Sequence, residues 1–421
     1  MVKVVVVGGG FAGCSAAISA IKAGAEVTLI ERMDVLLGAG QYAGRITDGQ
    51  IIGVEEAKAM GGGDIFKALE SIMLHRNIEY LDVKNCYFYD VIRQEPIIRR
   101  MLRNYGVNLY FRDPVVSVKK EEKKIISIKL KSGEEIYGDA FVDCTGSVIG
   151  REACIKYGHG CVECLYKCNT FGDPISLTRL AGAPSIALVR KDGKLGGMGA
   201  AVILNKNSLS PELKAHLESK GVVVIPLPKE LIDYNKLELT TGYPRTHEEA
   251  EHIVLCDVGG YAKIVGGVYW PIEKLRMIPG LENAWIDQPL GGSVGNHIRL
   301  VDMTLRSNGL RVEGFKNLFC AGEKSGPIVG IVEAVTSGLL AGHNAVRAAL
   351  GMDELELRGT AIGELIAHVG ERMKTREGLR EKYGFHSKWL KERGLYTTDV
   401  EEIKRRVSEA GLSDVFATKI C

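Results

Sequence analysis

The chain has 421 residues, of which 46% are hydrophobic and 25% charged, as in ordinary globular proteins with a large core. Its 54 lysine and arginine residues nearly balance 52 aspartate and glutamate residues, so the net charge of +2 gives no global basic field for nucleic acid. Apolar runs fall short of the roughly 18 residues of a membrane span and the first predicted strand begins at residue 2, too early for a signal peptide, so we expect a cytoplasmic protein without structural disulfides.

A nucleotide-binding turn is predicted at the N-terminus. Residues 4–13 read VVVVGGGFAG, a buried strand that runs directly into the spacing G-x-G-x-x-G. Gly8 permits the tight turn, Gly10 lets the backbone approach a pyrophosphate, and Gly13 lets the following helix pack closely on the strand. That helix, predicted to extend to about Lys22, directs free N–H groups and a positive dipole toward the phosphates.

The second predicted strand carries the acid of this site. It extends from Glu26 to Ile30 and ends at Glu31, which lies 18 residues after Gly13. A carboxylate at this distance can hold a ribose hydroxyl, and Arg32 follows it directly. Strand, glycines, helix, second strand and acid stand in the order of a dinucleotide-binding unit, so Glu31 and Arg32 are cofactor-binding candidates.

A glycine-rich segment follows over residues 36–64 and is predicted to form a loop that wraps the cofactor. A flexible surface loop is the alternative. Gly40 and Arg45 in this segment are candidates for cofactor contacts. Helical periodicity is then present over Ile65–His75 and Pro96–Tyr105.

Strands are predicted over Val115–Leu130, Glu134–Tyr137 and Ala140–Cys144, and the polar segment Lys119–Lys124 within the first of them is predicted to be a solvated turn. The last of them leads into Thr145-Gly146 and resembles the Ala-Thr-Gly strand end of flavoproteins with two dinucleotide-binding folds. Besides Thr145 and Gly146, Val116 is a candidate for cofactor binding in this part of the chain.

Residues 150–290 have mixed character and are predicted to form an inserted α+β substrate domain with a cysteine cluster. Cys161, Cys164 and Cys168 lie within eight residues, and Cys154 lies seven positions before Cys161. Thiolates suit an iron–sulfur cluster or zinc, and an iron–sulfur cluster beside a flavin can pass its electrons on singly. A redox dithiol of Cys161 and Cys164, and three unligated buried thiols, are the alternatives.

Three further residues are candidates around this domain. Cys256 and His159 are other choices for a fourth metal ligand. His297, in the loop GGSVGNH, is a candidate acid or base near a cofactor, although an ordinary polar loop residue fits equally well. Together with Cys161 and Cys164 it completes the set of catalytic candidates.

A second cofactor segment is predicted near residue 320. Residues 317–323 read NLFCAGE and resemble the motif in which an apolar strand ends in Gly-Asp or Gly-Glu and the carboxylate holds the FAD ribitol. By this resemblance Gly322 and Glu323 contact the ribitol. The helix predicted over Ile331–Arg347 follows a glycine loop that ends at Gly330, and its N-terminus can stabilise negative charge on a reduced flavin.

The last third of this fold resembles a particular group of flavoproteins. Residues 299–350, with RLVDMTL and AVTSGLLAGHNA on either side of the strand above, are similar to the GidA/TrmFO group, which modifies tRNA uridines. The segment RQEP at 93–96 and the strand at 106–111 resemble a broader FAD-dependent oxidoreductase family. Folate-dependent members of the group carry a reactive cysteine after the second strand, whereas this sequence has no cysteine between Cys14 and Cys86.

The C-terminal region, residues 353–421, is predicted to be helical. Its segment 371–391 carries seven lysine and arginine residues against three glutamates, with Tyr383, Phe385 and Trp389 among them. An RNA- or partner-binding helix pair and an amphipathic helix packed on its own protein are both consistent with this pattern. We favour packing, because acids return over residues 392–414.

The predicted fold class is therefore α/β. Residues 1–149 and 291–352 form a Rossmann-like FAD-binding domain of the glutathione-reductase type, residues 150–290 are inserted, and residues 353–421 follow. The predicted function is an FAD-dependent oxidoreductase that exchanges electrons with a small substrate or carrier, through a cysteine-ligated iron–sulfur centre. The alternatives are a GidA/TrmFO-like enzyme that modifies uridine in RNA and a non-catalytic FAD-bound assembly protein; a homo-oligomer is compatible with each.

Overall fold

The structure is a computed structural model that describes residues 1–147, 175–190, 193, 195–199, 202–234, 247–265, 272–288 and 297–421. In these ranges its α-helices of five or more residues are Phe11–Lys22, Asp48–Ala59, Asp64–Glu70, Val91–Asn104, Pro211–Lys220, His247–Glu251, Ile331–Ala349, Ala361–Arg372, Ser387–Glu392 and Val400–Glu409.

A sheet of five parallel strands, here called the nucleotide sheet, positions the candidate site. In spatial order its strands are Leu318–Cys320, Ala140–Asp143, Lys3–Val7, Glu26–Glu31 and Asn108–Phe111. The valines of the central strand are buried, as expected for a parallel strand that is covered on both faces. The carboxyl ends of all five strands meet at one edge. The predicted α/β fold class with a Rossmann-like domain is confirmed.

Two helices of small residues cover one face of this sheet. The first helix, Phe11–Lys22, packs along the late helix, Ile331–Ala349, and the Ser19 hydroxyl donates to a carbonyl of the late helix at 2.7 Å. A Cβ on Gly342 would lie 2.2 Å from the carbonyl oxygen of Ala16. The two helices therefore touch backbone to backbone, which only small residues permit.

Two further antiparallel sheets have three strands each. One has the order Arg45–Ile46, Val83–Tyr89, Met73–Tyr80. The other has the order Val115–Glu121, Lys124–Leu130, Glu135–Tyr137. The second agrees with the strands that the sequence predicts there, and the turn that divides residues 115–130 into a hairpin lies within the polar segment Lys119–Lys124, where a turn is predicted.

A further sheet belongs to the part predicted as an insertion. Its five antiparallel strands are, in spatial order, Val222–Pro226, His252–Asp257, Tyr261–Val265, Val202–Asn205 and Ile286–Gln288. Strand Gly197–Gly199 pairs separately with His297–Arg299. The five strands share an apolar core around Leu204, Leu255 and Ile264. The inserted domain over residues 150–290 stays a prediction.

The C-terminal region packs into the same core as the nucleotide sheet. The Glu56 carboxylate caps helix Ala361–Arg372 by accepting from the N–H groups of Ala361 at 2.7 Å and Ile362 at 2.9 Å. The N–H of Phe416 donates to the carbonyl of Met60 at 2.8 Å. Residues 353–421 are thus built onto the body of the protein, as the packing interpretation of this region expects.

Two local predictions are wrong. Residues 36–64 are not a continuous loop, because they contain the helix Asp48–Ala59. Its glycines hide the helical pattern and serve close packing instead: a Cβ on Gly49 would lie 2.2 Å from the carbonyl oxygen of Phe385. The helix predicted over Ile65–His75 ends at Glu70, since the chain turns there into the strand Met73–Tyr80.

Candidate functional site

The glycine turn after the central strand has open space beside Gly10 but none beside Gly8 or Gly13. Gly8 has φ +100°, and a Cβ on it would lie 2.4 Å from the carbonyl oxygen of Cys144. A Cβ on Gly13 would lie 1.8 Å from the Gly8 oxygen. On Gly10 it would meet no described atom within 4 Å. Gly8 and Gly13 are thus needed for the fold, and Gly10 borders free space.

The first helix begins at this open space. Gly10 is its N-cap residue, without a side-chain cap, and the first turn carries no acid. The positive end of the helix dipole is therefore uncompensated in the turn, and it favours an anion there.

Glu31 closes the turn from the second strand. Its carboxylate accepts from the N–H of Gly9 at 2.8 Å and from the N–H of Met33 at 2.9 Å, and its side chain is buried. Burial raises the pKa of Glu31 above its ordinary value, while these two hydrogen bonds and Arg32 act in the opposite direction. The acid and Arg32 lie beside the glycine turn, where a ribose next to the pyrophosphate would be.

The strand end at Asp143 joins the second cofactor segment to the first. Asp143 is fully buried and holds Thr145 through its hydroxyl at 2.6 Å. The Ser147 hydroxyl donates to the Glu323 carboxylate at 2.8 Å and accepts from the N–H of Leu300 at 2.6 Å. The structure therefore brings Thr145, Gly146 and Glu323 to one edge of the nucleotide sheet, with Ser147 as a link that the sequence did not reveal.

Gly322 brings this segment against the first helix. It has φ +63°, and a Cβ on it would lie 3.1 Å from the Cβ of Ala12. Its N–H donates to the Ser337 hydroxyl of the late helix at 2.9 Å. The glycine turn and the Glu323 segment, more than 300 residues apart, are consequently neighbours.

A buried ion pair fixes the segment that carries Glu323. The Lys324 ammonium contacts the Asp302 carboxylate at 2.9 Å, and both side chains are almost completely buried. The same nitrogen donates to the Ser176 hydroxyl at 3.0 Å. Loss of one partner of such a pair leaves a buried charge and costs about 3–5 kcal/mol. Sequence reasoning missed this pair. The only signal in the sequence is the lysine that directly follows Glu323, and nothing there connects it with Asp302.

The late helix begins at the two residues predicted to face the flavin. Gly330 has φ +151° and precedes Ile331, the first residue of the helix. Glu333, in the first turn, is buried and accepts from the Gln50 amide at 2.9 Å. Burial raises the pKa of Glu333 to about 7, so a large fraction of this carboxyl is protonated near physiological pH.

Three predicted cofactor residues have other surroundings. Gly40 packs on Phe11, whose ring would lie 2.4 Å from a Cβ at that position. The Arg45 guanidinium donates to the Tyr80 hydroxyl beneath the inserted sheet. The Val116 side chain is 48% exposed on its strand. Their roles in cofactor binding stay predictions.

The metal prediction concerns residues outside the described part of the chain. Cys154, Cys161, Cys164 and Cys168, together with His159, lie there. Within the described ranges, no group of three or more His, Cys, Asp or Glu side chains could hold a metal ion. The backbone of His297 begins the strand His297–Arg299, and its catalytic role stays a prediction.

The alternative fourth ligand, Cys256, is fully buried in a strand of the inserted sheet. Burial raises the pKa of Cys256 to about 12 and that of Cys86, in the same apolar cluster, to about 11. Cys14, Cys144 and Cys320 are likewise buried beside the glycine turn and the sheet edge. Such thiols are protonated at neutral pH and fill space as small apolar groups.

Two protein-family models match parts of the chain. The model of the FAD dependent oxidoreductase family matches residues 3–150, and the model of glucose inhibited division protein A matches residues 271–353. The chain is a GidA/TrmFO-related FAD flavoprotein.

Its curated relatives include enzymes named methylenetetrahydrofolate–tRNA-(uracil-5-)-methyltransferase TrmFO. The protein from a Ruegeria species is 37% identical over 115 residues, which are 27% of this chain and 25% of that protein. The protein from Geobacter sulfurreducens is 37% identical over 103 residues, which are 24% of this chain and 23% of that protein. The similarity thus spans about a quarter of the length of these relatives.

The fold of this flavoprotein is that of GidA. The form II crystal structure of Aquifex aeolicus GidA superimposes with a TM-score of 0.65 and 19% identity, covering 97% of this chain and 76% of that one. The form I crystal structure of the same protein superimposes with a TM-score of 0.61 and the same identity. In the described parts of the flavoprotein, no helix combines the length and apolar character needed to cross a membrane.

Proposed function

We propose that this flavoprotein binds FAD non-covalently and uses it to modify a uridine in RNA. The observation that carries FAD binding is the pairing of the open Gly10 turn with the Glu323 edge of the same sheet. The RNA substrate is supported by the relatives, which are named as tRNA uracil methyltransferases.

The residues present fit an FAD molecule that lies along the carboxyl edge of the nucleotide sheet. Gly8, Gly10 and Gly13 would hold the pyrophosphate at the start of the first helix, where the space beside Gly10 is open. Glu31, with Arg32 beside it, would hold the adenosine ribose, and Glu323 would hold the ribitol. Thr145 and Gly146 line the edge between them.

The bound FAD would supply electron transfer to and from the substrate at its isoalloxazine ring. The late helix would direct its N-terminus, at Gly330 and Ile331, toward the pyrimidine side of that ring. Its N–H groups would favour negative charge there. The buried Lys324–Asp302 pair keeps the Glu323 segment in place for this arrangement.

The positions and burial of the cysteines restrict the types of uridine modification that we propose. The reactive cysteine of the folate-dependent members has no counterpart between Cys14 and Cys86. Cys86 itself is buried in a strand, and its raised pKa makes it a poor nucleophile at neutral pH. We therefore propose a uridine modification other than folate-dependent methyl transfer.

FAD binding is tested by the absorption spectrum of the purified protein and by titration of the apoprotein. We expect bound flavin that is released on denaturation, and an affinity weakened by about 1.5–3 kcal/mol in Glu31→Ala, because charge-assisted hydrogen bonds are lost. Glu26→Ala, at the exposed far end of the same strand, is the matched control and should bind normally. A colourless protein that ignores FAD but binds NAD tightly would refute the proposal.

The RNA substrate is tested by incubating the FAD-loaded protein with unmodified tRNA and a reductant, followed by nucleoside mass spectrometry. We expect a uridine of changed mass. Because the net charge is only +2, we expect tRNA affinity in the micromolar range and a shallow dependence on salt. Unchanged uridines together with no tRNA binding at low salt would favour the second candidate function.

That second candidate is an electron-transfer flavoprotein with an iron–sulfur centre. The sequence spacing of Cys161, Cys164 and Cys168 is the observation that favours it. Protein purified without oxygen would then contain iron and sulfide that are lost in Cys164→Ser. Complete titration of free thiols in a native, metal-free and unoxidised protein would exclude this candidate.

A further inference from the structure

A short segment of the C-terminal region, Lys382–His386, lies against the start of the late helix; we call it the C-terminal strap. Tyr383 pairs with Ile328 as in a parallel sheet. The N–H of Tyr383 donates to the carbonyl of Pro327 at 2.8 Å, and the N–H of Val329 donates to the carbonyl of Tyr383 at 3.1 Å. The strap therefore fixes the turn that leads directly into Gly330 and Ile331.

Glu333 connects the strap to the late helix and to the helix Asp48–Ala59. One carboxylate oxygen accepts from the N–H of Phe385 at 2.9 Å, and the other accepts from the Gln50 amide at 2.9 Å. Glu333 is 3% exposed and Phe385 is 1% exposed. Two separate parts of the chain thus converge on one side chain in the first turn of the late helix.

Glycines make this convergence sterically possible. A Cβ on Gly384 would lie 2.8 Å from the Glu333 oxygen and 3.3 Å from Nε2 of His386. A Cβ on Gly330 would lie 1.8 Å from the other Glu333 oxygen. The distances of 2.8 and 1.8 Å to the Glu333 oxygens are shorter than real Cβ contacts, so a side chain at either position would displace the Glu333 carboxyl.

We propose that the C-terminal strap is a working part of the flavin site, with Glu333 as a positioning residue that holds the N-terminus of the late helix against the pyrimidine edge of the flavin. This inference rests on the proposed binding of FAD. It gives residues 353–421 a role in cofactor binding beyond filling the core, and it makes the flavin site dependent on a segment far from both cofactor motifs in sequence.

The test compares FAD dissociation constants and flavin absorption spectra of four full-length variants with those of the wild type. Gly384→Ala inserts a methyl group at Glu333, and Gly384 has no left-handed φ to complicate the change. Glu333→Ala removes the link, whereas Glu333→Gln keeps its shape and an acceptor for the N–H of Phe385. Ile403→Ala is the control, since Ile403 is buried in the last helix and lies outside the strap.

We expect FAD affinity to fall at least about tenfold in Gly384→Ala and Glu333→Ala, with a shifted flavin spectrum, since a misplaced helix start loses its hydrogen bonds to the ring. Glu333→Gln should restore the affinity to within about threefold, and Ile403→Ala should lower the melting temperature but bind FAD normally. Wild-type affinity and spectra in Gly384→Ala and Glu333→Ala, or an equal loss of affinity in Ile403→Ala, would overturn the role of the strap. Failure of the wild type itself to bind FAD would instead refute the proposed function on which it rests.

Discussion

At the scale of single residues, we expect two nearby glycines to have different roles, Gly10 in cofactor binding and Gly13 in folding. Gly10 has φ −66° and ψ 178°, an extended conformation open to any residue, and space beside it. We expect Gly10→Ala to change the stability of the apoprotein by less than about 0.5 kcal/mol. The added methyl group would occupy the position of the pyrophosphate, so FAD binding should weaken at least tenfold in a titration followed by flavin fluorescence.

Gly13→Ala is the matched control, because its Cβ would press on the Gly8 carbonyl at 1.8 Å. It should destabilise the apoprotein itself, which thermal unfolding without FAD would reveal. If Gly10→Ala bound FAD as tightly as the wild type, the pyrophosphate would not lie at this turn.

The arrangement of the first cofactor segment could be predicted because its spacing is local. Gly8, Gly13 and Glu31 belong to one βαβ unit, whose spacing is visible in the sequence, although the Cys144 carbonyl that limits the space at Gly8 is not. Ser147, Lys324 and the strap could not be found in this way. Each of them acts through a residue that is distant in the chain, and no spacing rule connects such pairs.

A buried carboxyl caps the helix Ala361–Arg372 and makes this element sensitive to pH. Burial raises the pKa of Glu56 to about 7, although it accepts two backbone hydrogen bonds. The folded state therefore holds its proton more tightly than the unfolded state. Stability contributed by this group is complete below about pH 4.5 and is lost as the pH rises through about 7.

We expect the free energy of unfolding to fall between about pH 5 and 8, by an amount on the order of 2–3 kcal/mol from Glu56 alone. Glu56→Gln should flatten this slope, even if it lowers the stability at every pH through an imperfect cap. The measurement is urea unfolding at a series of pH values. A variant with the wild-type slope would show that Glu56 ionises normally in the folded protein.

The contact between the first and late helices tolerates no additional atoms. Because a Cβ on Gly342 would lie 2.2 Å from a backbone oxygen of Ala16, the helices would have to separate in Gly342→Ala. We expect a loss of about 1–3 kcal/mol, as for other overpacked cores, measured by denaturant unfolding. Ala349→Ser, at the half-buried end of the same helix, should be nearly neutral.

Element types were predictable where the period of the pattern was clear, as in the late helix and in the strands of the nucleotide sheet. The helix Asp48–Ala59 was missed because Gly49 and Gly53 suggested a loop. These glycines make room for Phe385, a residue more than 300 positions away. The tertiary contact, rather than local propensity, decided the residue type at these two positions.

At the scale of the whole molecule, the C-terminal region is part of one core with the nucleotide sheet. Leu365, Ile366, Val369, Phe385 and Phe416 are buried in that core. Each contributes about 1.5–3 kcal/mol, so together they rival the entire stability of a domain, roughly 5–15 kcal/mol. We expect a chain truncated after residue 352 to be found in aggregates, as measured by the soluble fraction after expression.

The control for this truncation is the double variant Lys404→Ala/Arg405→Ala. It removes two exposed basic residues of the last helix while its buried face is unchanged. Its solubility and melting temperature should match the wild type. A truncated protein that is soluble and melts cooperatively would show that the region is an independent attachment.

The order of strands in the nucleotide sheet also determines how long its early elements remain without their partners during translation. The central strand and the first helix leave the ribosome early, but their neighbours Leu318–Cys320 and Ile331–Ala349 are translated some 300 residues later. At about 5–20 residues per second, the apolar faces of the early elements wait on the order of 15–60 s for their partners. The nascent chain therefore passes through a period in which its valine-rich first strand and small-residue helix are uncovered. Chaperone capacity during translation, more than the stability of the finished protein, should set the yield of folded molecules.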